Sequence, residues 1–297
     1  MKRVLIFGGD GLLGSHLYLA LKDAHEVGLT LHREVPGYPA RLFAAAQVFP
    51  GVAAGDGVRV SEALDAFRPD WVINAIGLTK RPLARDPYAS LEANALFPHL
   101  LAGLCAERSI RMLHFSTDGV FSGQTGNYAE QDQPDCLDWY GRCKLLGEPR
   151  GSNVLVLRTA FVGLELGCKL NLVEWFLARQ GTVPGYRQAI WSGLTAREVG
   201  RVADFLITSD SPLSGVWHLA SQAISKFDWL TALEVRLRGG ARTVVPDDRV
   251  VCDRSLNGQA FYVQTGYVAP SWNVMLDELA EDIARRWIPG TPSYWQN

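Results

Sequence analysis

The first two dozen residues restrict the fold more than any other part of the chain. Val4-Leu5-Ile6-Phe7 is a short apolar run that breaks at once into Gly8-Gly9-Asp10-Gly11-Leu12-Leu13-Gly14 and resumes as the helical stretch Ser15–Ala24. Strand, glycine turn and helix in that order make a unit with defined jobs for each glycine. Gly8 permits the tight turn, Gly11 lets backbone approach a pyrophosphate, and Gly14 lets the helix lie close on the strand. Glycine triplets arise easily in a chain with 29 glycines, so the flanking strand and helix are what make this spacing informative. The expectation is a dinucleotide site drawing on Gly8, Gly11, Leu12, Leu13 and Gly14.

The same alternation continues downstream. Val27–Leu31, Trp71–Ile76, Arg111–Phe115 and Val154–Leu157 read as strands, and Val60–Phe67, Ala89–Glu107 and Tyr140–Glu148 as helices between them. Short continuous apolar strands separated by helices indicate a parallel sheet covered on both faces. After Arg158 the segments become longer, irregular and rich in Trp, with helices expected at Glu198–Ile207 and Asn273–Trp287 and a strand at Val216–Ala220. No Pro/Ser-rich linker separates the halves. The predicted fold class is therefore α/β, a doubly wound (Rossmann) parallel sheet with a smaller interleaved C-terminal substrate lobe. Residues 1–160 form the dinucleotide-binding domain and 161–297 mainly the lobe, with segments around 195–220 returning to the first domain.

Bulk properties narrow the partners. Hydrophobic residues at 47% and charged residues at 20% allow a sizeable core, and a net charge of -2 gives no reason to expect nucleic acid or an anionic membrane. No stretch reaches about 18 uninterrupted apolar residues, so no membrane span is expected. The five cysteines form no CxxC pair and no His stands at ligand spacing to them, which points to reduced thiols in a cytoplasmic protein without a metal.

Cofactor choice is read at the end of the second strand. Leu29-Thr30-Leu31-His32-Arg33-Glu34 lacks an acid at the strand tip to hold a ribose 2′-hydroxyl, and Arg33 suits a 2′-phosphate. NADPH is expected, with NADH as the alternative if Arg33 is only a solvated surface charge. Asn74-Ala75-Ile76-Gly77 ends a strand with small residues, and Asn74, Ala75 and Gly77 offer a flat wall for the nicotinamide ribose. Ser116-Thr117-Asp118-Gly119 ends the next strand with two hydroxyls and a carboxylate, and Tyr140-Gly141-Arg142-Cys143-Lys144 puts a phenol and an ammonium on one helix face. A free phenol titrates near 10; a neighbouring ammonium is expected to lower that value toward the working range of an acid–base catalyst. Thr117 can hydrogen-bond a carbonyl oxygen and its developing alkoxide.

Taken together, Gly8–Gly14, Val72–Ala75, Ser116–Phe121, Tyr140–Lys144 with Leu145–Glu148, and Arg158-Thr159 resemble the extended short-chain dehydrogenase/reductase family, most closely its dTDP-4-dehydrorhamnose reductase branch. The resemblance covers the whole chain. It implies Thr117, Tyr140 and Lys144 as the catalytic triad, with Tyr140 and Lys144 also touching the cofactor. Ser116, Asp118, Phe161, Asn171 and Trp191 fall at sugar-side positions, Phe161 where the family usually has Trp. Trp191 has packing in the lobe core as its alternative. Asn94 resembles a fourth catalytic position, with a kink-stabilising role as its alternative. Gly119 stands where these reductases usually carry Tyr, and Cys143 where Ser is common, so the sugar pocket is expected to be reshaped.

The implied activity is NAD(P)H-dependent reduction of the 4-keto group of a nucleotide-linked deoxysugar, in cell-surface polysaccharide or glycoside biosynthesis. The partner is then a nucleotide-sugar substrate, with homodimerisation open. Sugar dehydratases resemble one another in carrying Glu after Thr-Asp, and Gly119 cannot supply that acid. Two alternatives remain at this point: an epimerase on the same scaffold, and a non-catalytic NADP-binding regulatory subunit of the kind that accompanies methionine adenosyltransferase.

Overall fold

Seven strands build the central sheet: β1 (Arg3–Phe7), β2 (Glu26–Thr30), β3 (Gln47–Phe49), β4 (Trp71–Asn74), β5 (Arg111–Thr117), β6 (Val154–Thr159) and β7 (Gly215–His218). A computed structural model describes residues 1–32, 42–43, 45–79, 86–166, 171–237 and 239–286. Arg33, Cys168 and Trp287 lie outside the described residues. All pairings in the sheet are parallel, in the order β3-β2-β1-β4-β5-β6-β7. The order reverses between β1 and β4, and a doubly wound sheet opens its ligand crevice at such a switch point, beyond the carboxyl ends of the strands. The expected fold class is the observed one.

Helices cover both faces. On one side α1 (Leu12–Leu21) packs with α5 (Ala196–Thr208), and the two approach so closely that a methyl on Gly200 would stand 2.8 Å from Ala20 Cβ. On the other, α2 (Gly57–Phe67) and α3 (Phe97–Glu107) bury Val60, Leu64, Phe67, Phe97 and Leu101 against the sheet. Val4, Leu5, Ile6 and Phe7 are all fully buried, worth roughly 1.5–3 kcal/mol each, so β1 anchors the glycine turn that follows it. Beyond β6 the chain supplies α5 and β7 to this half. It also builds a lobe in which Gly181–Tyr186 pairs with Arg242–Asp247, and Ala189–Trp191 pairs with Ile224–Ser225 and Cys252–Asp253. No described helix is long and apolar enough to cross a membrane.

Three boundaries differ from the sequence expectation. Helix α1 starts at Leu12 rather than Ser15, because Gly11 is extended and serves as its N-cap. Strand β4 stops at Asn74, whose side-chain Oδ1 accepts from the Ile76 amide at 3.1 Å and turns the backbone away. The helix expected over Ala89–Glu107 is instead Pro87–Leu91, a π-helical turn Glu92–Leu96, and then α3. Pro98 has no N–H to give the carbonyl four residues back, that of Asn94, so the regular ladder cannot run through.

Candidate active site

The glycine turn sits at the switch point. Gly8 takes φ +84°, a region that disfavours any side chain, and a methyl there would lie 2.9 Å from Ile76 Cγ1. Thr30 holds the turn from β2: its Oγ1 accepts from the Gly8 amide at 3.1 Å and its carbonyl from the Gly9 amide at 2.9 Å. A methyl on Gly14 would stand 2.0 Å from the Gly8 carbonyl oxygen, so α1 rests directly on the turn. Gly11 leaves the N-terminus of α1 without a side-chain cap, and its first turn carries no acid. Asp10 is directed elsewhere, accepting from the His32 amide at 3.2 Å. The first amides of α1, at Leu12 and Leu13, thus take no side-chain cap among the described residues, which suits an anion.

At the end of β4, Asn74 is buried and its Nδ2 has no hydrogen-bond partner among the described residues. Ala75 donates its amide to the Phe7 carbonyl, joining the β4 end to the β1 end. Gly77 lies under the Asn94 carboxamide, 3.3 Å from the position its Cβ would take. Asn94, inside the π turn, accepts from the Leu78 amide at 3.0 Å and donates to the Leu78 carbonyl at 2.8 Å and to Ser90 Oγ at 3.0 Å. Its side chain clips the loop after β4 in place.

Strand β5 delivers the hydroxyls. Thr117 Oγ1 donates to Asp118 Oδ1 at 3.1 Å and accepts from the Gly119 amide at 3.0 Å, closing a single 3₁₀ turn. Helix α4 (Trp139–Leu146) delivers the phenol, starting from Asp138, whose carboxylate caps the Gly141 amide at 2.9 Å. A methyl on Gly141 would meet the Gly119 carbonyl at 2.2 Å, so α4 is pressed against the β5 turn. This sets the Tyr140 ring and Thr117 Oγ1 together against Gly119, 3.4 and 3.3 Å from where its Cβ would stand. Lys144, one turn on and buried, donates to the Phe115 carbonyl at 2.6 Å.

The electrostatics depart from the sequence expectation. The Tyr140 phenol is pushed up to about 12, chiefly by burial, with Asp118 and Asp138 adding to the rise and Thr117 and Arg254 opposing it. The expected lowering by Lys144 is not seen, since that ammonium is bonded to the Phe115 carbonyl rather than to the phenol. Burial also brings Lys144 down to about 8, against the pull of Glu148. Asp118 is raised by burial, although Lys226 and Arg254 both favour its charged form.

The remaining sequence candidates divide. Ser116 is buried and its hydroxyl donates to Glu148 Oε1 at 2.6 Å, while Arg158 grips the same carboxylate at 2.8 and 2.7 Å. Ser116 thus fastens the end of α4 to β5. Phe161 is half-buried on a short strand paired with Leu194–Thr195. Asn171 caps the helix Leu172–Leu177, its Oδ1 accepting from Glu174 and its Nδ2 donating to the Gly163 carbonyl at 2.9 Å. Trp191 is buried among Trp229 and Trp272, with the Lys226 ammonium 3.7 Å from the centre of its ring. Lys226 escaped the sequence reading. The signal was there: a lysine opening a helix, where the macrodipole disfavours a cation, breaks a local rule without local cause.

Comparison with known proteins agrees with this arrangement. The RmlD substrate binding domain family matches residues 1–246. A probable low-salt glycan biosynthesis reductase of Haloferax volcanii is 34% identical over 232 residues, covering 73% of this chain and 74% of the relative. A dTDP-4-keto-6-deoxy-D-glucose reductase of Streptomyces niveus is 28% identical, with 84% of each chain covered. In fold, the dTDP-4-dehydrorhamnose reductase of Bacillus anthracis, solved with NADP, superposes with a TM-score of 0.73 at 18% identity, covering 94% of this chain and 98% of that one. This chain belongs to the RmlD substrate-binding-domain family.

Proposed function

We propose that the chain catalyses NAD(P)H-dependent reduction of the 4-keto group of a nucleotide-linked deoxysugar, with NADPH preferred and NADH as the alternative. One observation carries the reading: Thr117 Oγ1 and the Tyr140 ring both lie against Gly119, 3.3 and 3.4 Å from where its Cβ would stand, at the end of β5 beside the switch point that holds the glycine turn. The Haloferax and Streptomyces relatives are both named as reductases, the second of a dTDP-4-keto-6-deoxy sugar, and the Bacillus structure holds NADP.

The cofactor site fits such a dinucleotide. Gly11 and Gly14 contribute no side chain to the approach to α1, and among the described residues the helix start has no side-chain cap and Asn74 Nδ2 is a buried donor without a partner. Gly8, Gly11, Leu12, Leu13 and Gly14 would hold the pyrophosphate, Arg33 the 2′-phosphate, and Asn74, Ala75 and Gly77 the nicotinamide side. The bound nicotinamide supplies hydride to the sugar carbon. A phenol raised to about 12 stays protonated at neutral pH, the state a proton donor needs, and Tyr140 gives that proton to the carbonyl oxygen. Thr117 donates a hydrogen bond to the same oxygen as its charge develops. Lys144, on the same helix face and mostly protonated below pH 8, keeps one N–H on the Phe115 carbonyl and would offer the others to the nicotinamide ribose. Asp118, Phe161 and Trp191 remain the sugar-side residues of this reading. Ser116 and Asn171 join it only through the backbone they fix.

Residues 1–160 act as the cofactor domain and 161–297 mainly as the substrate lobe, with 195–220 returning to the first, in a cytoplasmic protein. A homodimer is tested by light scattering. The function is tested by offering dTDP-, UDP- and GDP-linked 4-keto sugars with NADPH deuterated at the transferred position. One deuterium at the product carbinol carbon, with stoichiometric NADPH oxidation, is expected. A rearranged sugar formed with no net NADPH consumption would refute the reductase reading in favour of an epimerase.

A further inference from the structure

Tyr140 lies in the first turn of α4, and first turns fray unless something outside the helix holds their amides. Asp138 holds one of them, its Oδ1 accepting from the Gly141 amide at 2.9 Å. Its Oδ2 stands 3.7 Å from the Arg254 guanidinium, so one oxygen of the carboxylate serves the helix and the other faces the lobe. Asn caps a helix as well as Asp does, so the cap alone does not account for a charged group at this position. The guanidinium accounts for it.

Arg254 is delivered by a segment fastened on both sides. Cys252–Asp253 pairs with Ala189–Ile190 of the lobe, and the Arg254 amide extends that pairing by donating to the Ile190 carbonyl at 2.9 Å. On its other side the Asp253 amide donates to the Gly123 carbonyl at 2.8 Å, in the loop that follows β5. Gly123 and Gly126 take φ of +88° and +70°, and both are needed for the close approach. A methyl on Gly126 would stand 2.2 Å from Asp253 Oδ2, and one on Gly123 would stand 3.1 Å from Arg254 Cγ. The arginine stem thus rests on the loop backbone with little room to swing. Its Nε is buried and has no hydrogen-bond partner among the described residues, and Asp138 is the acid with which the guanidinium pairs. Arg254 and Asp138 also stand in the wall of a cavity of about 540 Å3, beside Ser122, Leu137 and Val251. A guanidinium in a cavity wall suits a ligand phosphate too, and that competing use has its own kinetic signature.

We propose that Arg254 is a positioning residue: from the lobe it holds the Asp138 carboxylate on the start of α4 and so fixes Tyr140 for proton transfer. The inference deepens the reductase reading and rests on it. The lobe then takes part in framing the proton donor, although the donor belongs to the other half of the chain.

The test compares Arg254→Met, Arg254→Lys, Asp138→Asn and the double variant Arg254→Met/Asp138→Asn, each as the NADPH-bound full chain, by two readouts. Hydrogen exchange over residues 139–142 should speed up about fivefold in Arg254→Met and in Asp138→Asn, the factor a partly exposed ion pair supplies, with Tm within about 3 °C of wild type. On the 4-keto sugar nucleotide that wild type reduces best, kcat should fall roughly 3- to 10-fold in each of these variants while KM stays within about threefold. Arg254→Lys keeps the charge and should recover half or more of the loss. The double variant should be no slower than the slower single variant, because both remove one contact. A KM raised about tenfold with kcat unchanged would make Arg254 a phosphate ligand instead. That result, unchanged exchange in Arg254→Met, or losses that multiply in the double variant would each overturn the proposal and leave the reductase reading intact. A wild-type chain that reduces no 4-keto sugar nucleotide would overturn both, whatever the exchange shows.

Discussion

Gly11 and Gly14 allow folding and cofactor binding to be separated by a single methyl. At Gly14 an added Cβ would stand 2.0 Å from the Gly8 carbonyl oxygen and 2.8 Å from Gly9 Cα, and both neighbours are backbone. They cannot retreat easily, because the Gly8 and Gly9 amides are both tied to Thr30. Relief must come from moving α1 off β1. Overpacking of this kind costs about 3 kcal/mol, the upper part of its usual range, which lowers Tm by roughly 6–12 °C in a chain of this size. Gly14→Ala should therefore lose stability and NADPH affinity together. At Gly11 the Cβ would meet only the Gly8 oxygen, at 3.3 Å, which a shift of a few tenths of an ångström absorbs. Gly11→Ala should cost less than about 1 kcal/mol in stability, yet its methyl occupies the path by which a pyrophosphate reaches the α1 amides. Differential scanning fluorimetry without cofactor and calorimetric titration with NADPH separate the two effects. Wild type at a hundredfold excess over Kd should gain about 2.7 kcal/mol from NADPH, and Gly11→Ala should gain almost none. Wild-type Tm in Gly14→Ala, or wild-type NADPH affinity in Gly11→Ala, would show that the turn does not work as described.

Tyr140→Phe should bind NADPH almost as wild type but turn over at least about 100-fold more slowly, and single-turnover rates within a few-fold of wild type would remove Tyr140 from proton transfer. Arg33→Ala should weaken NADPH by roughly 1.5–3 kcal/mol and leave NADH nearly untouched, as fluorescence titration with each cofactor will show; equal losses would displace the phosphate site. Lys144 is held at about 8 by burial, so kcat should fall as pH rises through 8. Stability should move the other way: the unfolded chain keeps that proton up to the ordinary lysine range, so the burial cost is relieved between about pH 8 and 10. A kcat flat to pH 10 would contradict the requirement for a charged Lys144. Glu148→Gln leaves Arg158 buried without its counter-charge, and thermal or urea unfolding should report a loss of about 3–5 kcal/mol.

What could be read from the sequence was local. The β1–glycine–α1 unit (Arg3–Leu21), the hydroxyls at the end of β5 and the i,i+4 phenol–ammonium pair are each one unbroken local segment, and periodicity and spacing suffice to find them. Strand β3, only Gln47–Phe49, is too short to show a period, and the sequence reading assigns no strand there. The π turn was hidden for a different reason. The sequence reading runs one helix over Ala89–Glu107 through Pro98, and the packing of α4 on Asn94, where a methyl at Gly147 would stand 1.8 Å from the Asn94 carbonyl, joins segments far apart in the chain that no local pattern connects. The direction of the Tyr140 shift also escaped the sequence, because helix spacing brings Lys144 near the phenol but does not say that Phe115 will take its ammonium.

The lobe was legible in outline only, since its order depends on partners far apart in the chain. Arg286 reaches Glu174 at 2.6 Å in a buried ion pair, Tyr128 bridges to Leu256, and His218 Nδ1 donates to the Tyr128 carbonyl at 2.9 Å. Each of these residues looks ordinary in its own segment. Asn171, expected at a sugar-side position, is used locally: its Oδ1 accepts from the Glu174 amide to start a helix and its Nδ2 donates to the Gly163 carbonyl. Lys226 shows the opposite case. Its segment offers a cation where the helix dipole resists one and no acid directly paired with it. The compensation is found only across the fold, in the Trp191 face. A residue that breaks a local rule and is supported from a distant segment is held where it is by tertiary packing, and that distinguishes it from the surface lysines around it.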